Sequence, residues 1–298
     1  MLSRAIVGAV VLFATALPVC AQETKLQWKF KEGETFFVED VVTTKYTVTA
    51  QGLAVNQDSE EKLTTLTSYK VQKVTGDSIV LVMTIEDVET KGGGGLTGTG
   101  KIMEKVKGAV FTVTITPGGK VTKFEGFESL AKQLGDGDED VAKMLKAIIT
   151  EEMFRQPLEN SFGFMPDKAV KKGDTWTKDS VYPLGPLGEF KTASTYTYKG
   201  PGDGGESIGM KQSLTYAFKK GAEIAGLFKI VKGNLKANKA HGVFVFDADK
   251  GRMASASVSM QMNGSLTMDI NGQQQIQIDL SIDTVANSRV FDKRPERN

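Results

Sequence analysis

"SLTMDINGQQQIQIDLSID", Ser265–Asp283, decides what kind of fold this chain can adopt. Apolar and polar residues alternate on both sides of Asn271-Gly272, and a period of two puts each apolar set on one face of a strand. Facing strands of a hairpin must present their apolar groups on the same side. A two-residue turn at Asn271-Gly272 would set Ile270 against Gln273 and Met268 against Gln275, which mixes the faces. A three-residue turn through Gln273 sets Met268 against Ile276, Leu266 against Ile278 and Met262 against Ile282. The pattern therefore predicts the second register. Asn263-Gly264 leaves two readings open, because a strand running straight through and a three-residue loop at that point both keep the apolar face intact.

The same alternation recurs in "TTKYTVTA", "SIVLVMTIEDV", "AVFTVTIT" and "GVFVFDAD". Turn-forming residues separate these runs: Thr75 to Asp77, Pro117 to Gly119, Pro201 to Gly205 and Asp247 to Gly251. The expected class is mainly β (α+β), an antiparallel meander. One region breaks the period. Val141, Met144, Leu145, Ile148 and Ile149 form an apolar stripe at helical spacing, with Asp138, Glu139 and Asp140 at its N-terminus. "FESLAKQL", Phe127–Leu134, predicts a shorter helix before it. Together they give a helical insert at about 127–156, ending near Pro157.

An internal similarity organises the rest. "KEGETFF" at Lys31–Phe37 recurs as "KKGDTWT" at Lys171–Thr177, and "TPGGKVTKF" has a looser counterpart in "DADKGRMAS". The expected layout is a first β unit over 22–126, a helical connector over 127–165 and a second β unit over 166–298. Two similar meanders would form curved sheets or half-barrels, packed together or continuous, with the helices covering an exposed face.

The N-terminus carries an address. Arg4, the uncharged apolar run Ala5–Leu17 and the small residues around Ala21 form a secretory signal peptide over 1–21 with cleavage after Ala21. The minor alternative is a lipid anchor at Cys20, the only cysteine. Export to the periplasm or beyond then leaves no cysteine for disulfides, so apolar burial must stabilise the fold. Lys plus Arg (37) balance Asp plus Glu (36), and no basic run marks a nucleic-acid partner. A second hydrophobic segment that would span a membrane after processing is also missing.

Several motifs invite chemistry and fall short of it. "KGGGGLTGTGK", Lys91–Lys101, has the skeleton of a phosphate loop, but Ile102 stands where magnesium needs a hydroxyl and strand periodicity soon resumes. No nucleotide is expected there. "GESIG" imitates the esterase elbow around Ser207, yet "MKQSLTYAF" follows as a strand rather than a helix, and His241 is the only histidine. "DGDED", Asp136–Asp140, lacks the glycine and glutamate of a calcium loop, with Val141 and Ala147 in those places. Asp247 and Asp249 could coordinate calcium, although a polar hairpin turn accounts for them more simply. Zinc would need His or Cys clusters that are not here. Met260, Met262 and Met268 share a face with Leu266 and Ile270 and form either core or the wall of an apolar cavity. Trp28 and Trp176 adjoin the repeated motif and are expected to pack. The sequence thus assigns no catalytic residue, cofactor or metal ligand.

"MPDKAVKKGDTW", Met165–Trp176, together with "WKFKEGETF", resembles an exported bacterial family of unknown function with tandem G-[ED]-T-[FW] motifs. The resemblance implies a β-rich envelope or secreted protein and brings no catalytic residues. In architecture alone the chain is also similar to periplasmic lipoprotein carriers, whose half-barrels hold acyl chains. The expected function is a non-catalytic binding or structural protein, with a lipid or other apolar ligand between sheet and helices. The alternative is a carboxylate-dependent hydrolase of surface polymers, for which no pair of acids is marked.

Overall fold

The computed structural model describes residues 23–50, 55–92, 104–135, 150–183, 188–219, 223–224, 228–270, 272 and 274–296. Among the described residues the strands are β1 (Thr35–Ala50), β2 (Val55–Val74), β3 (Ile79–Gly92), β4 (Val110–Ile115), β5 (Val121–Glu125), β6 (Thr175–Pro183), β7 (Gly188–Gly202), β8 (Gly205–Phe218), β9 (Glu223–Ile224), β10 (Phe228–Asp247), β11 (Arg252–Ile270) and β12 (Gln274–Phe291). All belong to one antiparallel sheet, in the order β5-β4-β3-β2-β1-β12-β11-β10-β8-β7-β6, with β9 beside β10. The sheet is curved and does not close.

The chain runs outward from the centre through β1 to β5 and returns from the far edge through β6 to β12. Its first and last long strands therefore meet in the middle. They pair without interruption from Phe37↔Phe291 to Ala50↔Ile278. Of the two arrangements left open by the sequence, packed or continuous, the sheet is continuous across this seam.

The hairpin of β11 and β12 adopts the register that face-matching requires: Met268↔Ile276, Leu266↔Ile278 and Met262↔Ile282 are opposed. The strand runs straight through Asn263-Gly264. A Cβ at Gly264 would lie 1.8 Å from the Asn234 carbonyl oxygen and 2.8 Å from Leu235 Cα, so this glycine admits the close approach of β10 and makes no turn. The four other predicted turn segments each lie where consecutive paired strands connect, Pro201 to Gly205 and Asp247 to Gly251 overlapping the strand ends. Asp247 closes its own turn, accepting the backbone N–H of Asp249 (3.1 Å) and Lys250 (2.9 Å) through Oδ1.

The two similar stretches form turns built alike. Gly33 and Gly173 both have positive φ (84° and 97°), which glycine adopts without a Cβ penalty. Gly33 N–H donates to Val71 O and Val71 N–H to Glu34 O; Gly173 N–H donates to Tyr198 O and Tyr198 N–H to Asp174 O. Three residues after each glycine an aromatic pairs across the strands: Phe36 stacks on Tyr69 (5.1 Å between centroids) and Trp176 on Tyr196 (5.6 Å).

Two helices are described between the half-sheets. α1 spans Phe127–Leu134 and buries Phe127, Leu130, Ala131 and Leu134, the residues its sequence period selects. α2 spans Glu151–Gly163. The stripe from Val141 to Ile149, the acidic run before it, most of the glycine-rich stretch and the expected signal peptide lie outside the described residues. The expectation that the helices end near Pro157 is wrong, because α2 continues through Pro157 for six residues. A proline costs a helix interior about 3 kcal/mol. Here Leu158 and Phe162, both buried after the proline, offset that cost by removing apolar surface from water, at about 1.5–3 kcal/mol per large side chain. Before the proline, Phe154 packs on Phe111 (5.9 Å) and Phe127 (6.0 Å).

Replacing Gly264 by alanine forces two strand backbones apart and is expected to cost about 1–3 kcal/mol, whereas Gly76→Ala, with open space around the new Cβ, should stay within about 0.5 kcal/mol of the parent. Urea unfolding of the two variants measures the difference.

Candidate functional site: an aromatic cavity under helix α2

The inner face of the sheet can be followed row by row from the pairings. One row runs Asp40–Ser288–Ala256–Phe244 and the next Val42–Ala286–Val258–Gly242 across β1, β12, β11 and β10. Each row carries two small residues, Ser288 and Ala256 in the first and Ala286 and Gly242 in the second. Larger side chains flank them. A hollow is left where the C-terminal end of α2 crosses the sheet, and it measures about 290 Å³. That is at the lower end of the range for small-molecule sites. It is partly open to solvent, and its walls carry Trp28, Phe30, Phe36, Tyr69, Phe162, Phe164, Tyr196 and Phe244.

Two tryptophans hold the roof in place. The last carbonyls of a helix have no partner within it, and a buried one needs a donor. Trp28 Nε1 donates to Phe162 O at 2.8 Å, and Trp176 Nε1 to Phe164 O at 2.6 Å. The expected packing role of both indoles is thus joined by a polar one. Gly119, in the turn between β4 and β5 and at φ 86°, closes over the first of these bonds: a Cβ there would sit 1.9 Å from Phe162 O and 2.7 Å from Trp28 Nε1.

Three polar groups of the lining matter chemically. Asp40 accepts a hydrogen bond from the Ser288 hydroxyl, and burial, partly countered by that bond, pushes its carboxyl above the usual aspartate value. Tyr69 is held strongly toward its neutral form, first by burial and then by the nearby Asp40 carboxylate. Arg252 is 6 % exposed. Its guanidinium lies over the Phe36 ring, 4.9 Å from the centroid, and pairs through Nη2 with Asp292. Asp292 also accepts from Lys250 Nζ (2.8 Å). The Lys250 hydrogen bond, followed by the charge of Arg252, holds the Asp292 carboxyl below its ordinary value despite some desolvation. On the roof, Asn160 accepts from Ser180 Oγ at 2.6 Å. Its buried amide nitrogen makes no well-formed hydrogen bond, although it lies near enough to Tyr182 to oppose slightly the rise that burial gives that phenol.

The motifs singled out in the sequence sit elsewhere. Ser207 lies within β8 opposite Val245, and His241 lies on β10 opposite Lys211, four positions along the ladder. Met262 is buried in a second cluster with Leu214, Leu235 and Leu280, against which Met260 and Leu266 pack. None of the three methionines lines the cavity; the earlier part of the same strand, Arg252 to Val258, does. Among the described residues no group of three or more His, Cys, Asp or Glu could hold a metal ion, and no helix is long and apolar enough to cross a membrane. A shallower depression of about 560 Å³ faces Lys168 and the Gly173 turn at the surface, where Asp167 is almost fully exposed.

Asp40 and Arg252 were not singled out from the sequence, but a signal was present. Counting by twos, Asp40 falls on the face of Phe36, Val38 and Val42, and Arg252 on that of Ala254, Ala256 and Val258. A lone charge on an otherwise apolar strand face is buried by the same alternation that predicts the strand.

A single open antiparallel sheet, with helices against its inner face and an apolar cavity between them, defines the class of architecture. The chain belongs to a family of unknown function, DUF6263, whose match covers residues 67–284. No curated protein matches it. Among solved structures, one described as showing lipid–protein interactions in lipovitellin superposes with a TM-score of 0.43 at 7% identity, covering 91% of this chain and 26% of that one. The chain thus spans about a quarter of that protein's length. The COG4313 outer membrane channel from Pseudomonas putida F1 gives 0.25 at 10% identity, covering 93% of this chain and 100% of that one. OprG from Pseudomonas aeruginosa gives 0.24 at 9%, covering 88% and 97%. Superpositions this loose carry no argument about ligand or activity.

Because the folded state binds a proton at Asp40 more tightly than the unfolded chain, folding takes up a proton between pH 3.8 and the raised folded value. Stability therefore falls as pH rises through that window, and the penalty is complete above it. Asp40→Asn keeps an acceptor for Ser288 and should raise the thermal midpoint at pH 7, with the gain vanishing as the pH approaches 3.8. Thermal melts of parent and variant across that range read the effect.

Proposed function

We propose that this chain is an exported, non-catalytic binding protein of the bacterial envelope that holds a small apolar ligand between the inner face of its sheet and helix α2. The observation that carries this reading is the cavity itself, about 290 Å³ walled by eight aromatic rings. Close-packed interiors leave few voids larger than a water molecule, and here the small residues at the centre of the sheet face the helix end instead of being filled by it. Export rests on Arg4, the apolar run Ala5–Leu17 and the small residues up to Ala21, which suit delivery to the periplasm or beyond. The alike turns at Gly33 and Gly173, with their matching aromatic pairs, support descent from a doubled unit.

The chemistry of the lining favours binding over hydrolysis. Glycoside cleavage by carboxyl groups needs two of them across the scissile bond, and the cavity lining carries one acidic residue, Asp40. Aromatic walls with few polar groups suit a ligand whose own surface is largely apolar.

The neutral fluorophore N-phenyl-1-naphthylamine tests the reading, because Trp28 lies in the cavity wall and should transfer energy to a bound naphthyl group. The parent is expected to bind it with saturable, blue-shifted emission. Ala256→Phe, which fills the floor between Ser288 and Phe244, should weaken binding at least tenfold, about 1.4 kcal/mol, while the protein still unfolds cooperatively. Equal binding by the two proteins would place the probe elsewhere and defeat the proposal.

A further inference from the structure

We infer that the cavity selects single-chain amphiphiles with an anionic head, a carboxylate or a phosphate monoester, seated on Arg252. This deepens the binding reading above and rests on it.

A guanidinium does not discharge at any pH a protein meets. Arg252, 6 % exposed, therefore keeps a permanent positive charge in a wall that is otherwise largely apolar. Leaving such a charge without full compensation is costly. Its only hydrogen bond among the described residues runs from Nη2 to Asp292, although the group has five N–H donors. Asp292 is divided between two cations, since Lys250 Nζ also reaches it at 2.8 Å. One carboxylate facing an arginine and a lysine leaves a net positive charge. Asp292 is also 60% exposed, so water weakens what compensation it gives.

The one acid of the lining, Asp40, does not make up the deficit. Asp40 stands opposite Ser288, four residues along β1 from Phe36, whose ring Arg252 covers; that is roughly 13 Å of strand. Among the described residues its carboxylate accepts one hydrogen bond, from the Ser288 hydroxyl. A ligand head placed on the free edge of Arg252 can accept two parallel N–H bonds, the geometry in which arginine binds carboxylates and phosphates best. Its tail would then run along the small residues Ala256 and Ala286 beneath the aromatic roof. An alcohol head would satisfy a donor but leave the charge uncompensated, and an amine head would be repelled.

Displacement of N-phenyl-1-naphthylamine from the mature chain by four dodecyl compounds, each below its micelle concentration, separates these cases. Dodecanoate and dodecyl phosphate are expected to displace the probe at concentrations at least tenfold lower than dodecanol, and dodecylamine to be the poorest. The ratio of the two anions tells which source of negative charge the site prefers. Arg252→Met should lose the preference for anions, so that dodecanoate displaces the probe no better than dodecanol does. Asp292→Asn keeps Arg252 but removes the carboxylate charge that competes for it, and should strengthen anion displacement about threefold or more with no change for dodecanol. Equal displacement by dodecanol and dodecanoate in the parent, or a preference for dodecylamine, would overturn the inference while leaving the cavity reading standing. Failure of the probe to bind the parent at all would remove both.

Discussion

The structure depends on two indole N–H groups. Helix α2 ends against an apolar sheet face, where its last carbonyls would be buried without water and without partners within the helix. An unsatisfied buried carbonyl costs about 1–3 kcal/mol. Trp28 and Trp176 reach Phe162 O and Phe164 O from opposite halves of the chain, so the helix end can lie on the sheet only where both indoles meet it. That requirement fixes the roof, and with it the hollow below. Gly119 belongs to the same constraint, because any side chain there would displace the carbonyl that Trp28 holds.

The second constraint is the seam of β1 and β12. Strands from the two ends of the chain meet along their whole paired length, so neither half of the sheet presents an unpaired central edge. The arrangement also explains why the cavity lies at the seam. Each half brings its aromatic-bearing turn toward the middle, Phe36 with Tyr69 on one side and Trp176 with Tyr196 on the other, while the central strands carry Ala256, Ala286 and Ser288. Large side chains at the flanks and small ones between them make a trough, and α2 covers it.

Much of this was legible in the sequence wherever a local rule acts alone. Alternation located the strands, and the requirement that hairpin faces match chose the register at Asn271-Gly272 correctly. The apolar period of "FESLAKQL" bounded α1 to the residue. What was not legible depends on partners distant in the chain. Gly264 resembles a turn residue until β10 is seen to cross it, and Pro157 resembles a helix stop until Leu158 and Phe162 are seen to be buried. The hydrogen bond of Trp28 to Phe162 joins residues 134 positions apart, which no periodicity reports. The methionine face of β11 was a plausible cavity wall by composition, but the wall is the stretch of small residues before it. Asp40 and Arg252 stand between these extremes, since period two places them inward while only the fold shows that they share one hollow.

The central claim, that two indoles latch α2 onto the sheet and so frame the cavity, is most directly tested by hydrogen exchange at the tryptophan side chains. The two Nε1–H resonances of the native protein can be followed by NMR in deuterated buffer. The account predicts that both exchange far more slowly than a free indole, protected to a similar degree because one helix end carries both acceptors. Rapid exchange of either proton in the folded protein would contradict it.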